Sequence, residues 1–228
     1  SDQASSVLDV LRYELTELGV EVVTEACVSE LAKNAEGFLL YLKNGEVYQG
    51  DRVIIATGGK AMPVSGSDGS GYDLVKRLGH TITAVFPALV QLKLEGPYFK
   101  RIAGVKFVGT TEIIHKHRSL AKDRGDILFT EYGVSGPPIF QISRKAGELL
   151  TAGEEGYLKV TIIDTFSKEE LTKVMEKRFQ LGPKKPVDFS LVGLINKRLI
   201  PVVLMEAGLH DLKCPVAELT REERARIV

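Results

Sequence analysis

The sequence predicts a mixed α+β chain in three parts: a portion of an α/β domain, an antiparallel β-barrel inserted after it, and a small helical subdomain. Three observations carry this. Residues 1–81 run helix, β-meander, apolar strand, glycine-rich loop and helix. From Thr81 the period shortens to two, and Val90, Leu92 and Leu94 alternate with Gln91, Lys93 and Glu95, as in a half-buried strand. From Ser167 the helical period returns, so the expected divisions are 1–81, 82–166 and 167–228.

The first part begins with Ser1-Asp2-Gln3, a ready N-cap, before Val7, Leu8, Leu11, Leu15 and Leu18 at helical spacing. Gly19 breaks the helix, and Val20–Val23 and Cys27–Leu31 read as short strands. Phe38–Leu42 and Glu46–Tyr48 flank Asn44-Gly45, which predicts a hairpin on a type I′ turn. Val53–Ala56 is continuously apolar and reads as a strand buried on both faces, ending at Thr57-Gly58-Gly59. Gly66-Ser67-Asp68-Gly69-Ser70-Gly71 is the glycine-rich loop, after which Ser70 and Asp73 are placed to cap a helix over 72–78, closed by Gly79. This order suggests the later part of an α/β nucleotide-binding domain.

Strands are expected over 104–116, 126–130 and 157–163, with a helix over 137–150, and their alternation predicts a small barrel or curved sheet. Ser167 with Glu170 forms a capping box before Leu171, Val174 and Met175. Leu181–Pro186 interrupts the helical pattern, 189–208 resumes it with Pro201 as kink or break, and Thr220 with Glu223 caps a last helix that runs out at Ile227-Val228. The absence of an initial Met and of a C-terminal stop predicts a piece of a longer chain.

The 228 residues are 44% hydrophobic and 26% charged, which excludes disorder as the main state. Thirty Lys and Arg balance thirty Asp and Glu, so no global field draws the chain to nucleic acid or an anionic membrane, and neither partner is expected. No apolar run approaches the roughly 18 residues of a membrane helix. Cys27 and Cys214 form no Cys-x-x-Cys pair and suit a reducing compartment, with the cytoplasm expected.

Three groups of residues are candidates for chemistry. Thr57, Gly58 and Gly59 sit at the carboxyl end of a strand, where open α/β sheets bind ligands and where missing side chains admit a cofactor; a turn that merely needs glycine reads equally well. Gly66–Gly71 precedes a helix N-terminus that attracts anions, although neither dinucleotide fingerprint is present and an exposed loop is the alternative. Phe129–Pro138 joins a strand to a helix; there Ser135 reads as a helix cap in preference to a ligand group. His115 and His117, two apart on a strand, read as a solvated strand end in preference to a metal site, and no metal is expected.

Taken in order, Val-Ile-Ile-Ala-Thr-Gly-Gly-Lys at 53–60, Gly-Ser-Asp-Gly-Ser-Gly-Tyr at 66–72, Leu-Gly-His at 78–80, Pro-Ala-Leu-Val at 87–90 and Phe-Thr-Glu-Tyr-Gly-Val-Ser-Gly-Pro at 129–137 resemble the BaiN-type bacterial flavoproteins, NAD(P)/FAD-dependent oxidoreductases. The resemblance covers essentially the whole chain and implies a middle section, without the family's N-terminal dinucleotide-binding motif or its C-terminal glycine-rich part. It makes residues 1 to about 81 part of an FAD domain and the rest a substrate-side barrel with helices. Thr57, Gly58 and Gly59 would lie along FAD, the Val28 backbone would meet the adenine, and Gly66, Gly69, Gly71 and Tyr72 would shape the pocket. Thr130, Ser135 and Gly136 would face the substrate side of the flavin ring. No acid or base is assigned, and Ala61-Met62-Pro63 departs from the Ser-Tyr-Pro of many relatives. The implied reaction, in the intact protein, passes hydride between NAD(P)H, FAD and a small organic substrate, with the rest of its own chain as partner and this section alone inactive. The alternative is a non-catalytic barrel binding a small ligand or a protein; a third reading uses Gly66–Gly71 as an anion loop for a nucleotide.

Overall fold

The computed structural model describes residues 3–228, which divide after Val85 into two compact units, the second being 86–228. Ser1 and Asp2 of the expected N-cap lie outside the described residues, and Gln3 occupies the cap position of α1 (Ala4–Glu17). The apolar stripe of α1 is present as expected, and its Val7, Leu8, Leu11, Leu15 and Leu18 are exposed. Next, β1 (Val28–Asn34), β2 (Gly37–Leu42) and β3 (Val47–Gly50) form an antiparallel meander in the order β1-β2-β3, and α2 (Ser70–Arg77) packs on β1. Leu31, Leu42 and Leu74 are the buried apolar residues of this unit.

Two expected strands do not form. Val20–Val23 and Val53–Ala56 are irregular, because no described segment pairs with either, and a strand exists only in a hydrogen-bonded ladder. Far from being buried on both faces, Ile54 is 92% exposed. The hairpin turn also differs. Asn44 does not adopt positive φ; only Gly45 does, at 92°, in a three-residue loop where Gly45 N donates to Leu42 O at 3.1 Å and Glu46 N to Asn44 Oδ1 at 3.0 Å.

The second unit is an open antiparallel half-barrel. β4 (Leu92–Lys93), β5 (Lys106–His115), β6 (Arg118–Thr130), β7 (Gly133–Ser135) and β8 (Tyr157–Thr161) run in the order β4-β7-β6-β5-β8. The short α3 (Phe99–Ile102) precedes β5, and α4 (Pro137–Thr151) lies on β5 and β6 over a core that includes Ile113, Ile127, Phe129, Ile139 and Ile142. β6 extends well beyond the expected 126–130 because its first half is polar and half-exposed, so that burial imposes no apolar signal there. The two-residue turn into it, Lys116-His117, has φ of 47° and 63°, the I′ geometry expected at Asn44-Gly45.

A second cluster is built by α5 (Lys168–Leu181), α6 (Val187–Ser190), α7 (Ile200–Glu206) and α8 (Arg221–Ile227) around Met175, Phe179, Val187, Leu204 and Val216. Both expected capping boxes form, at Ser167–Glu170 and Thr220–Glu223. Pro201 sits in the first turn of α7, where its missing N–H costs nothing, so it starts a helix and the expected 189–208 stretch is broken over 191–199. No described helix is long and apolar enough to cross a membrane.

Asp164 ties the sheet together at its β8 end. Its carboxylate accepts from Arg124 Nε at 2.8 Å, Arg124 Nη2 at 3.2 Å and Thr110 Oγ1 at 2.7 Å, while its side chain is only 8% exposed. The Arg124 hydrogen bonds, then that from Thr110, hold the carboxyl below the usual aspartate range. A depressed carboxyl adds stability above its unfolded pKa of about 3.9 and loses it as pH falls through the lower folded value. Urea midpoints measured from about pH 5 downward should therefore fall more steeply for the wild type than for Asp164→Asn, which starts lower; parallel slopes would contradict this.

Candidate functional site

In the first unit the turn at Thr57–Gly59 and the loop at Gly66–Tyr72 close on one another. Thr57 stands over α2 so tightly that a Cβ at Gly71 would lie 2.0 Å from Thr57 Oγ1. A Cβ at Gly59 would lie 3.1 Å from Tyr72 Oη, and one at Gly58 3.3 Å from Ser67 Oγ. Gly58 and Gly69 have φ of 75° and 86°, a backbone that other residues adopt only with strain. The structure thus brings together Thr57, Gly58, Gly59, Gly69, Gly71 and Tyr72, and Gly66 opens the loop with nothing near its Cα face.

The loop is held by its own polar groups. Met62 and Ser67 form an antiparallel bridge around a 3-10 turn at Pro63–Ser65, and Ser65 Oγ donates to Met62 O at 2.8 Å. Gly69, not Ser70, is the N-cap of α2, and it is Asp68 Oδ1 that accepts from Ser70 N, at 2.9 Å. Asp73, expected to share in the cap, pairs instead with Lys76 at 3.5 Å. The bond from Ser70 N lowers the Asp68 carboxyl. A carboxylate so close to the start of α2 takes one of the donors an anion would need, which weighs against the phosphate-loop reading. Ser67 and Lys60, whose stem lies 3.5 Å from a Cβ at Gly69, are members of this cluster that spacing alone did not reveal. Val28 stands elsewhere, at the start of β1, paired with Leu42.

In the second unit, Thr130, Ser135 and Gly136 lie on one tight crossing of β6, β7 and α4. Cβ atoms at Gly133 and Gly136 would lie 2.1 Å from Leu92 O and Asp126 O. The Tyr132 hydroxyl donates to Gln91 Oε1. Ser135 is buried in β7 opposite Leu128, and α4 is capped by Gly136 with no side-chain bond, so the expected cap role of Ser135 is not realised. Thr130 Oγ1 is buried without a hydrogen-bond partner among the described residues.

The histidines do not converge. His117 is in the turn, and His115 Nδ1 lies 2.7 Å from Glu155 O, so the two do not share a strand face. Among the described residues no group of His, Cys, Asp or Glu is arranged to hold a metal ion. Burial pushes the Cys214 thiol up, away from the thiolate a nucleophile requires.

The sequence profile of the HI0933-like protein barrel and H2TH domain matches residues 86–228, the whole of the second unit. The chain belongs to the HI0933-like family. The profile of the flavin containing amine oxidoreductases matches residues 5–78, a stretch that contains the Thr57–Tyr72 cluster. Among curated relatives of this HI0933-like chain, a 3-dehydro-bile acid delta(4,6)-reductase of Clostridium scindens is 38% identical, over 96% of the chain and 53% of the relative. A ribosomal RNA dihydrouridine synthase of Escherichia coli is 30% identical over 96% of the chain and 54% of the relative, and one of Haemophilus influenzae 24% over 91% and 50%. These findings bear out the resemblance to BaiN-type flavoproteins, and the chain spans about half the length of the curated relatives it matches.

Proposed function

We propose that this chain contributes the Thr57–Gly59 turn and the Gly66–Tyr72 loop to the FAD site of an oxidoreductase, and that its half-barrel holds the organic substrate. The observation that carries the reading is the closure of the turn on the loop: Cβ atoms at Gly58 and Gly59 would meet Ser67 Oγ and Tyr72 Oη, while Thr57 is wedged against Gly71. A Cβ at either position would push the turn off the loop, and a turn that glycines let close this tightly can offer its backbone amides to a flat cofactor. Val28 would meet the adenine end through its backbone. The chemistry the bound cofactor supplies is hydride transfer, from NADH or NADPH to the substrate.

The residues of this chain orient and exclude water. Thr57, wedged against Gly71, sets the turn; Tyr72 Oη, close to Gly59, offers a donor beside it. On the substrate side, Ser135 and Gly136 shape the wall, and Thr130 Oγ1 is a hydroxyl whose proton no described group accepts. The relatives' names support a reductive role, one for reducing a 3-dehydro-bile acid and the other for making dihydrouridine. The exposed α1 stripe and Ile54 support a partner in the remaining parts of the natural chain. The free Cys27 and Cys214 are in keeping with the cytoplasm.

Anaerobic addition of NADH or NADPH to the full-length protein should bleach a visible flavin absorbance, and an unchanged spectrum with both would overturn the reading. Thr130→Val separates site from scaffold. Removing a buried hydroxyl that has no partner should leave stability within about 1 kcal/mol of the wild type or raise it. Turnover should nevertheless fall, and unchanged turnover would remove Thr130 from the substrate wall.

A further inference from the structure

The even charge balance of the chain is a cancellation. Residues 1–85 carry 7 Lys and Arg against 12 Asp and Glu, whereas residues 86–228 carry 23 against 18. The surpluses are opposite, so the expectation that no anionic membrane is a partner, drawn from the total, does not extend to the second unit alone.

In that unit the loop after α5, together with α6 and the start of α7, frames a cleft of about 840 Å³. Lys184, Lys185, Lys197 and Lys213 line it, and Asp188 is the one acid among the lining residues. That acid is already neutralised, with Lys213 Nζ 2.6 Å from Asp188 Oδ2. Lys184, Lys185 and Lys197 form no ion pair among the described residues.

The same cleft carries large apolar side chains turned to water. Leu181, the last residue of α5, is 76% exposed, and Phe189 in α6 is 56% exposed. Lys185 Nζ lies 5.9 Å from the Phe189 ring centroid, so cation and ring stand side by side. Val187 N donates to Cys214 O and Val216 N to Lys185 O, both at 3.0 Å, and Pro186 bridges to Pro215. The charges and the ring thus sit on backbone that is already ordered, which lowers the entropy lost on docking.

We propose that this cleft is a docking surface for an anionic lipid bilayer, with Leu181 and Phe189 entering the headgroup layer and Lys184, Lys185 and Lys197 meeting lipid phosphates. Lysines alone would suit any polyanion. What selects a bilayer is the exposed Leu181 and Phe189 beside them: a few lysines hold a protein on an anionic surface only weakly, and an inserted apolar group is the second signal that stable attachment requires. The attachment is peripheral, since no described helix is long and apolar enough to cross a membrane. The inference goes beyond the flavin reading and does not depend on it.

The test is co-sedimentation of the full-length protein with vesicles of phosphatidylcholine, with and without phosphatidylglycerol. The protein should sediment only with the anionic vesicles, and less as salt rises from about 0.1 to about 1 M and the Debye length shrinks from about 10 to about 3 Å. The triple variant Lys184→Ala, Lys185→Ala, Lys197→Ala should lower the partition coefficient on the order of a hundredfold, at about fivefold per lysine. The double variant Leu181→Ser, Phe189→Ser keeps every charge and should still lower it about tenfold. These side chains are exposed, so thermal midpoints should stay at the wild-type value. Undiminished vesicle binding by the double variant would assign the lysines to a soluble polyanion and overturn the proposal. Failure to sediment with the anionic vesicles, or equal sedimentation with both kinds, would overturn it as well.

Discussion

Gly136→Ala should destabilise the second unit by about 3 kcal/mol or more, seen as a lower urea midpoint with an unchanged slope. Two costs coincide there. The backbone is held at φ 120°, where a non-glycine residue stores on the order of 1–3 kcal/mol of strain. A Cβ would also stand 2.1 Å from Asp126 O, a backbone atom in the middle of the sheet that cannot swing aside. Gly193, with φ 82° and open space around it, separates the terms: Gly193→Ala should cost only the strain, about 1 kcal/mol. Equal losses at the two positions would show that the close approach of β6 to the start of α4 is not what demands glycine.

Gly71→Ala should strip flavin from the full-length protein. Position 71 lies in α2 with ordinary helical φ, where alanine alone would favour the helix by roughly 1 kcal/mol. Any loss must therefore come from Thr57 Oγ1, 2.0 Å from the added Cβ, which has to move together with the turn at Gly58-Gly59. Overpacking of this kind costs about 1–3 kcal/mol. The double variant Gly71→Ala, Thr57→Ala removes the obstructing hydroxyl and should recover part of the stability, so a thermodynamic cycle yields a coupling of opposite sign to the single losses. Additive effects would show that Thr57 does not clamp the loop.

Local signals were legible where local physics decides. The capping boxes at Ser167 and Thr220 and the helix after Pro137 each rest on a few neighbouring residues, and each forms, whereas the strand expected from the alternation over 90–95 is only the two residues of β4. Val53–Ala56 failed because an apolar run states a need for burial and not the presence of a partner strand. The strand expected through His117 ends instead in a turn at Lys116-His117, because the long β5–β6 ladder imposes positive φ there on residues that would not choose it. At the site, the glycines pointed to Thr57–Gly59 and Gly66–Gly71. Their mutual approach, and the parts of Ser67, Lys60 and Asp68, depend on contacts that spacing does not encode.

The central claim is that this chain supplies a cradle for FAD that the rest of the natural chain completes. A fluorescence titration of FAD against the 228-residue chain, beside the full-length protein, tests it most directly. The account predicts tight, saturable binding by the full-length protein and weak or no binding by the 228 residues alone. Absence of binding by both would contradict it and favour a barrel that binds some other ligand.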